Sequence, residues 1–226
     1  MNVVLKDNTV LSLGLLILML VVCNLAFARS SGWARWGWQL FGFGGLFFVY
    51  RIGGLSLGDI GLSRSRIGIG LKYALVAIAV SFVALVIAYF INQSLFRDTR
   101  YNQALGPALL ASLFILPLKV VIFEELVFRG VMPALLKDLG SRPWVILVVS
   151  SILFGLWHIS TTPKSGNITA GHYSNLLIVG AIFMVTSAAG AALYLLRYQS
   201  DSLVPAIAVH WFINGAAIVL ASLAWS

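Results

Sequence analysis

Two adjacent glutamates, Glu124 and Glu125, lie inside a long apolar stretch that runs from about Ala108 to Lys137. They are the only glutamates in the sequence, and Lys119 and Arg129 lie in the same stretch. A charged side chain at the centre of a membrane helix costs about 2.5–3.5 kcal/mol on insertion scales. Four such side chains would cost on the order of 10 kcal/mol if all of them faced lipid. We therefore expect them to face a protein interior or a water-filled cavity, which marks them as candidates for a functional site.

Helical geometry separates the two carboxylates. Glu125 and Arg129 are four residues apart and share a helix face, so they can form an ion pair. Glu124 points about 100° away from Glu125 on an ideal helix. We therefore expect Arg129 to hold Glu125 and to leave Glu124 available for chemistry. The alternative is that both glutamates are ion-paired and serve only to join helices.

The composition places the chain in a membrane. Hydrophobic residues make up 60% and charged residues 10% of the sequence, whereas soluble domains carry about 25% charged residues. The formal net charge is +8, but most basic residues lie in short loops beside apolar runs, as insertion topology and anionic headgroups require. We find no nucleic-acid-binding signature. The single Cys23 lies in an apolar run and excludes a disulfide framework.

The apolar runs predict an all-α fold, a polytopic transmembrane helical bundle of about seven spans with an internal polar cavity. A span of the hydrocarbon core takes about 20 residues; the second run is shorter and rich in glycine. We expect a basic surface loop at residues 51–72, polar loops at 93–106 and 161–174, and a kink at Pro117. The predicted spans cover about residues 9–28, 37–50, 70–92, 108–137, 142–160, 175–198 and 203–223.

Further polar side chains lie in other apolar spans. His158 is in the fifth span, and His210 and Asn214 share a face of the seventh because they are four residues apart. His172, in a predicted polar loop, is interpreted as a solvated residue. A lone histidine in a membrane most often bonds to a neighbouring helix. Polar groups in hydrocarbon nevertheless cluster, because each of them needs a partner, and Glu124 would be part of such a cluster.

A cluster of this kind suits hydrolysis. A carboxylate can act as general base toward water, an imidazole can share the proton, and a second histidine with an asparagine can donate to an oxyanion. The same cluster offers a zinc set, Glu124, His158 and His210, because two histidines and a carboxylate are common zinc ligands. Asparagine is a poor zinc ligand and a good oxyanion donor, which favours metal-free chemistry. No serine or cysteine lies in a recognisable nucleophile motif.

Three motifs, in this order and on separate spans, resemble the CPBP family of intramembrane endopeptidases. They are Glu124-Glu125-x-x-x-Arg129, Phe154-x-x-x-His158 and His210-x-x-x-Asn214. The family includes CAAX prenyl endopeptidases of the Ras-converting type and bacterial proteins of bacteriocin processing or immunity. The resemblance covers about residues 105–220. It implies a membrane-embedded helical bundle with an internal cavity in which a peptide bond is cleaved.

The resemblance also implies roles for these residues. Glu124 would activate water with His158 as its partner, and His210 with Asn214 would stabilise the oxyanion. Glu125 and the arginine four residues later would support the site. The family has been described both as metal-dependent and as glutamate-dependent, so a divalent metal such as zinc remains an alternative to the absence of a cofactor. The implied substrate is a membrane protein or peptide in a lipid bilayer, processed as in CAAX or bacteriocin maturation.

We accordingly divide the chain into N-terminal helices with a basic surface loop, residues 1–104, and a catalytic core, residues 105–226. Lys6 and Ala26-Phe27-Ala28 flank the first span as in a signal peptide, but because further spans follow at once, we expect a retained helix. The positive-inside rule then predicts a multi-pass plasma-membrane protein with a cytoplasmic N-terminus. The alternatives are a non-enzymatic immunity or peptide-binding protein and, with no inverted repeat to support it, a transporter.

Overall fold

The fold is known from a computed structural model that describes the backbone of residues 3–161 and 172–225 and the side chains of residues 7–159 and 176–225. Most of these described residues are helical, and no strand lies among them, so the predicted all-α class is confirmed. Their α-helices are α1 Val3–Arg29, α2 Gly32–Ile52, α3 Ile67–Ile91, α4 Leu105–Leu110, α5 Ile122–Glu125, α6 Met132–Asp138, α7 Pro143–Thr161, α8 His172–Ser200 and α9 Val204–Trp225.

Helices α4, α5 and α6 belong to one long helix, Leu105–Asp138. Wider π-helical turns separate them, at Ala111–Ile115, Pro117–Val121 and Leu126–Val131. In such turns the N–H of residue i+5 bonds to the carbonyl of residue i, and they occur frequently at functional sites. The predicted kink position, Pro117, is the first residue of the second π-helical segment.

Within the described residues, helices at five places are long and apolar enough to cross a membrane. They are Asp7–Arg29, Arg64–Ile91, Leu105–Asp138, Leu176–Ser200 and Val204–Trp225. A shorter apolar helix covers Pro143–Ile159, and α2, which begins with tryptophan and arginine residues, is not among the five. The chain is a multi-pass membrane protein, while the number of seven spans and the internal polar cavity stay predictions.

Several boundaries differ from those that the apolar pattern predicts, and three of them concern the loops. Helix α2 begins at Gly32 rather than at residue 37, because an interfacial helix can continue past the apolar core with Trp and Arg side chains in its first turns. The basic surface loop ends earlier than residue 72, because α3 begins at Ile67. Helix α8 begins at His172, so the backbone of this histidine is helical and not part of a loop. Residues 162–171 of the predicted loop lie outside the described residues.

The chain divides into two compact units, which we call the first and the second unit. The first unit contains Met1–Ile60 and Leu126–Leu195, and the second contains Gly61–Glu125 and Leu196–Ser226. The predicted division at residue 105 separates the proposed catalytic core from the helices before it. It is not a division into compact units, and it stays a prediction.

In the first unit, α1 packs against α2, α6 and α7. Its buried face carries Ser12, Leu16, Leu20, Cys23 and Phe27, which recur every three or four residues and so form one stripe of the helix.

In the second unit, α9 packs along α3, α4 and the first π-helical segment. Gly70 of α3 makes the close approach possible, because a Cβ atom there would lie 2.5 Å from the Ser202 Oγ atom and 3.1 Å from the Val204 Cβ atom. Small residues allow membrane helices to approach in this way. This packing places the polar side chains of α9 beside α5.

Candidate functional site

The second unit brings the two glutamates to one imidazole. His210 Nδ1 donates a hydrogen bond to Glu125 Oε1 at 2.7 Å, and His210 Nε2 lies 4.0 Å from Glu124 Oε2. The relative exposures of Glu124, Glu125 and His210 are 5%, 0% and 6%. A carboxylate therefore lies beside each ring nitrogen of His210. In such a poorly hydrated place the interactions between charges are stronger than in water.

The helix that carries His210 is anchored by the next residue. Trp211 Nε1 donates to the backbone carbonyl of Ser112 at 2.8 Å. In the π-helical segment the N–H of Leu116 bonds to Ala111, five residues earlier, so Ser112 would be paired with residue 117. Pro117 has no N–H to donate, and the Trp211 indole supplies the donor instead. The Trp211 indole of α9 therefore replaces the backbone donor that the long helix lacks at Pro117.

A close contact one turn further on continues this packing. A Cβ atom at Gly215 would lie 2.6 Å from the Ser112 Oγ atom, so a larger residue at position 215 would require the Ser112 hydroxyl to move. Asn214 precedes this glycine and is partly buried. Its side-chain amide forms no hydrogen bond with the part of the chain that the structure describes.

In the first unit, Arg129 is fully buried. Its Nη2 donates to the Gly190 carbonyl at 3.2 Å, and its guanidinium lies over the Phe154 ring, 4.0 Å from the centroid. A Cβ atom at Gly190 would come within 3.3 Å of Arg129 Nη2, so the absence of a side chain there makes room for the guanidinium. Arg129 is thus held by a carbonyl and by an aromatic face, which is a cation–π contact.

His158 lies in the last turns of α7 and is partly exposed. Its Nδ1 donates to the Phe154 carbonyl at 2.8 Å, and the two rings lie with their centroids 4.4 Å apart. A carbonyl can only accept, so Nδ1 carries the proton, and the Nε2 atom of the neutral ring presents its lone pair. This hydrogen bond fixes the tautomer and the orientation of the ring relative to α7.

The structure places the predicted residues in two sets. Glu124, Glu125, His210 and Asn214 belong to the second unit, while Arg129 and His158 belong to the first. The predicted pairings of Glu125 with Arg129 and of Glu124 with His158 stay predictions. The sequence did not indicate the bond between Glu125 and His210, because a contact between side chains of different helices leaves no periodic signal in either of them.

A zinc site needs three or more protein ligands in close array. Among the described residues, no group of three His, Cys, Asp or Glu side chains has the arrangement of a metal site. Of the predicted zinc set, Glu124 and His210 lie together in the second unit. One carboxylate and one imidazole are fewer than the ligands that a resident zinc requires, and the zinc set that includes His158 stays a prediction.

An apolar cavity of about 530 Å³ lies in the second unit. It is bordered by α3, by the start of the long helix and by α9, from which Trp211 and Gly215 contribute to its wall. These two residues follow His210 and Asn214 by one position each, so they lie on the adjacent face of α9. The cavity has the volume of a site for a small apolar group.

Comparison with known proteins identifies the segment that contains these motifs. Residues 106–216 match the family model described as Type II CAAX prenyl endopeptidase Rce1-like. All three predicted motifs lie within the match, and the resemblance to the CPBP family is confirmed. No curated protein and no solved structure matches the chain.

Proposed function

Because residues 106–216 form an Rce1-like type II CAAX prenyl endopeptidase domain, we propose that this protein is an intramembrane endopeptidase that hydrolyses a peptide bond in a membrane-associated protein or peptide. The Rce1-like family is a family of proteases. The observation that carries the proposal is the buried contact of His210 with both glutamates, 2.7 Å from Glu125 and 4.0 Å from Glu124. Two carboxylates and an imidazole within apolar helices are energetically costly, and such groups usually belong to a functional site.

In this proposal Glu124 is the general base. Its carboxylate takes a proton from the attacking water, and the same proton later leaves with the amine of the cleaved peptide. His158 assists, since its Nε2 lone pair can accept a hydrogen bond from that water. The fixed tautomer of His158, with Nδ1 bonded to Phe154, supports this role.

His210 and Asn214 stabilise the tetrahedral intermediate. Asn214 can donate from its amide, which the described residues do not engage. His210 already donates from Nδ1 to Glu125, so its Nε2 can donate to an oxyanion only when the ring carries two protons. Donors that are fixed before the reaction contribute most to the stabilisation of developing charge.

We infer the class of substrate from the side chains that line the apolar cavity. The cavity of about 530 Å³ beside Trp211 and Gly215 is apolar and suits a hydrocarbon chain or an apolar side chain near the scissile bond. A prenylated CAAX peptide has such a chain, and a hydrophobic leader peptide offers apolar side chains. We propose a plasma-membrane location with a cytoplasmic N-terminus, on the excess of basic residues in the loops of that side.

The test is cleavage by the purified full-length protein in lipid nanodiscs. The probes are a quenched fluorescent CAAX peptide with a farnesylated cysteine and the same peptide without the farnesyl group. We expect Glu124→Gln to reduce kcat at least about 100-fold, because general bases contribute about 10²–10⁴-fold. Asp98→Asn removes a carboxylate from a loop outside the spans and serves as the control, with unchanged kcat expected.

Full activity of Glu124→Gln would remove Glu124 from the mechanism. Metal-free chemistry also predicts that a chelator leaves the rate unchanged; loss with the chelator and recovery with zinc would show metal dependence. A protein that binds both probes and cleaves neither would favour the non-enzymatic immunity or peptide-binding alternative.

A further inference from the structure

The apolar cavity of the second unit follows α9 along much of its length. The α9 wall is a stripe of side chains from Ala208 to Leu220 that recur every three or four residues, and α3 and the long helix form the other walls. Two large side chains of these other walls, Phe82 and Leu113, are 57% and 49% exposed. Both lie in helices that can cross a membrane, so we expect the open side of the cavity to face acyl chains.

The cavity ends one helical turn before a polar and aromatic end of α9. Leu220 lines the cavity, and four residues later the Ala224 carbonyl accepts a hydrogen bond from Arg97 Nε at 3.2 Å. The Arg97 guanidinium also lies 5.7 Å from the centroid of the Trp225 ring. Tryptophan and arginine side chains at the end of a membrane helix mark the level of the lipid headgroups. We therefore expect headgroups beside Arg97 and acyl chains beside Leu220.

Arg97 keeps donors that a headgroup can use. The side chain is exposed, and of its three nitrogens Nε is engaged by Ala224, while the two Nη atoms form no hydrogen bond with the described residues. Asp98 is the only acidic residue of the loop between α3 and α4, and its carboxylate is bound by Arg100. Since a guanidinium binds phosphate oxygens with two parallel hydrogen bonds, the charge of Arg97 complements an anionic phospholipid.

The depth of the cavity below Arg97 matches one leaflet of a bilayer. Gly215 contributes to the wall and lies nine residues before Ala224, about 14 Å at a rise of 1.5 Å per residue. One leaflet contributes half of a hydrocarbon core of about 30 Å, which is about 15 Å. A lipid whose phosphate contacts Arg97 would therefore place the end of an acyl chain beside Gly215.

We propose that Arg97 and the apolar cavity form a binding site for an anionic phospholipid: Arg97 binds the phosphate, and one acyl chain lies in the cavity along α9. The binding of the lipid does not depend on the proposed function. Its effect on activity rests on that function, because the hydrocarbon chain of the proposed substrate would enter the same cavity and compete with the lipid.

The first experiment is native mass spectrometry of the full-length protein released from nanodiscs that contain equal amounts of phosphatidylglycerol and phosphatidylcholine. We expect one phosphatidylglycerol to be retained about tenfold more often than phosphatidylcholine, since hydrogen bonds to charged groups contribute enough for such a factor. Arg97→Gln should abolish the preference, and Arg97→Lys, which keeps the charge, should preserve most of it. Arg64→Gln removes the same charge from an exposed position before α3 and is the control, with the preference unchanged.

The second experiment locates the acyl chain in the unchanged protein. The probe is phosphatidylglycerol with a photoreactive diazirine at the end of one acyl chain. We expect crosslinks to residues 211–216 of α9 and 109–113 of the long helix. Ala216→Phe places a large side chain in the cavity and should abolish these crosslinks, although Arg97 is unchanged.

Equal retention of the two lipids by the unchanged protein would mean that only unspecific annular lipid binds, and it would overturn the proposal. So would a preference that persists in Arg97→Gln, or crosslinks that lie only outside the walls of the cavity.

Competition is tested in the cleavage assay. Replacing phosphatidylcholine by phosphatidylglycerol in the nanodiscs should raise KM for the farnesylated peptide, leave KM for the peptide without the farnesyl group unchanged, and have no effect on Arg97→Gln. The same change of KM for both peptides would contradict competition in the cavity. If the unchanged protein cleaves neither peptide, the proposed function has failed, and the mass spectrometry and the crosslinks still decide whether the lipid site exists.

Discussion

A short hydrogen bond to Glu125 orients the ring of His210. Glu125 accepts from Nδ1 at 2.7 Å, and this fixes the direction in which Nε2 points. Hydrogen bonds to charged groups contribute about 1.5–3 kcal/mol, more than those between neutral groups. Glu125 is fully buried, so its carboxylate has no contact with solvent that could replace the histidine. The activity should therefore depend on residue 125 even though Glu124 is the proposed base.

Substitution of Glu125 in two steps tests this dependence. Glu125→Gln keeps an oxygen that can accept from Nδ1 but removes the charge, and we expect kcat to fall about tenfold. Glu125→Leu also removes the acceptor, and we expect a fall of about 100-fold, since each 1.4 kcal/mol corresponds to a factor of ten. The measurement is kcat on the farnesylated peptide. Equal activity of the Gln and Leu variants would mean that Glu125 does not orient His210.

At the level of residues, the sequence identified the polar side chains but not all of their partners. Glu124 and His210 were recognisable because a polar group in an apolar span is costly and therefore has a purpose. The contact between Glu125 and His210 was not recognisable, since helical spacing indicates only neighbours on the same helix. The contact with His210 depends on how far α9 is shifted along α5, and this shift is set by Gly70, Gly215 and other packing contacts.

At the level of helices, α9 is anchored to the long helix by a hydrogen bond in which a side-chain donor replaces a missing backbone donor. Pro117 withholds a backbone donor from Ser112, and Trp211 supplies one at 2.8 Å. Ser112 is buried, so its carbonyl has little access to water if the indole is removed. A buried acceptor without a donor costs about 1–3 kcal/mol. The anchor also fixes His210, the preceding residue of α9.

A double-mutant cycle tests whether Pro117 and Trp211 act on the same carbonyl. Trp211→Phe removes the indole donor, and we expect it to destabilise the protein by about 1–3 kcal/mol. Pro117→Ala restores a backbone N–H five residues after Ser112, so the same tryptophan substitution should cost less in the Pro117→Ala background. The measurement is unfolding in detergent at increasing denaturant. Equal costs in both backgrounds would show that Pro117 and Trp211 do not act on the same carbonyl.

The loop between α3 and α4 is tied to the end of α9. Trp225 Nε1 donates to the Asp98 carbonyl at 3.2 Å, and the Arg97 guanidinium donates to the Ala224 carbonyl at 3.2 Å. The Arg100 side chain donates to the Asp98 carboxylate and thereby holds the pKa of that carboxyl below its ordinary value of 3.8. The bond from Arg100 therefore stabilises the loop only while the Asp98 carboxylate is charged.

This depressed pKa predicts how the loop responds to acid. A carboxyl whose pKa is lowered by folding stabilises the folded loop above its ordinary pKa, and the contribution is lost as the pH falls through the folded pKa. We expect the part of the tryptophan fluorescence that is lost in Trp225→Phe to change below about pH 4. Asp98→Asn should abolish that transition. An identical transition in the variant would assign it to another group.

The boundaries of the helices were predictable only where apolar and polar residues change abruptly. The end of α1 and the beginning of α7 lie within one residue of the expected positions, at Arg29 and Pro143. Helix α2 extends five residues further toward its N-terminus, to Gly32, because helices do not end at the edge of the hydrocarbon core. The π-helical turns in Leu105–Asp138 leave no mark in hydropathy, so the sequence predicted one kink there and no change of helix type.

For the whole molecule, the number of spans decides which loops share a side of the membrane. The described helices include five that can cross by length and composition, and α2 is not among them. Helix α2 is 21 residues long, which suffices for a bilayer of about 30 Å, but it carries Arg35 and Arg51 near its ends. These arginines can reach the headgroups from a spanning helix. We therefore retain the prediction that α2 spans and that the total is seven.

Cysteine labelling around α1 and α2 tests that prediction within the first unit. In a Cys23→Ala background, a single cysteine replaces Asp7, Ser31 or Gly58. Asp7 is the first residue of the apolar span Asp7–Arg29 of α1, Ser31 lies between the two helices, and Gly58 follows α2. If both helices span, a membrane-impermeant maleimide should label Asp7→Cys and Gly58→Cys from the same side and Ser31→Cys from the other. Labelling of Ser31→Cys and Gly58→Cys from one side would mean that α2 lies along the membrane surface. The number of spans would then be even, and every loop after α2 would lie on the opposite side of the membrane. The count of basic residues that places the N-terminus in the cytoplasm would have to be made again with these loops exchanged.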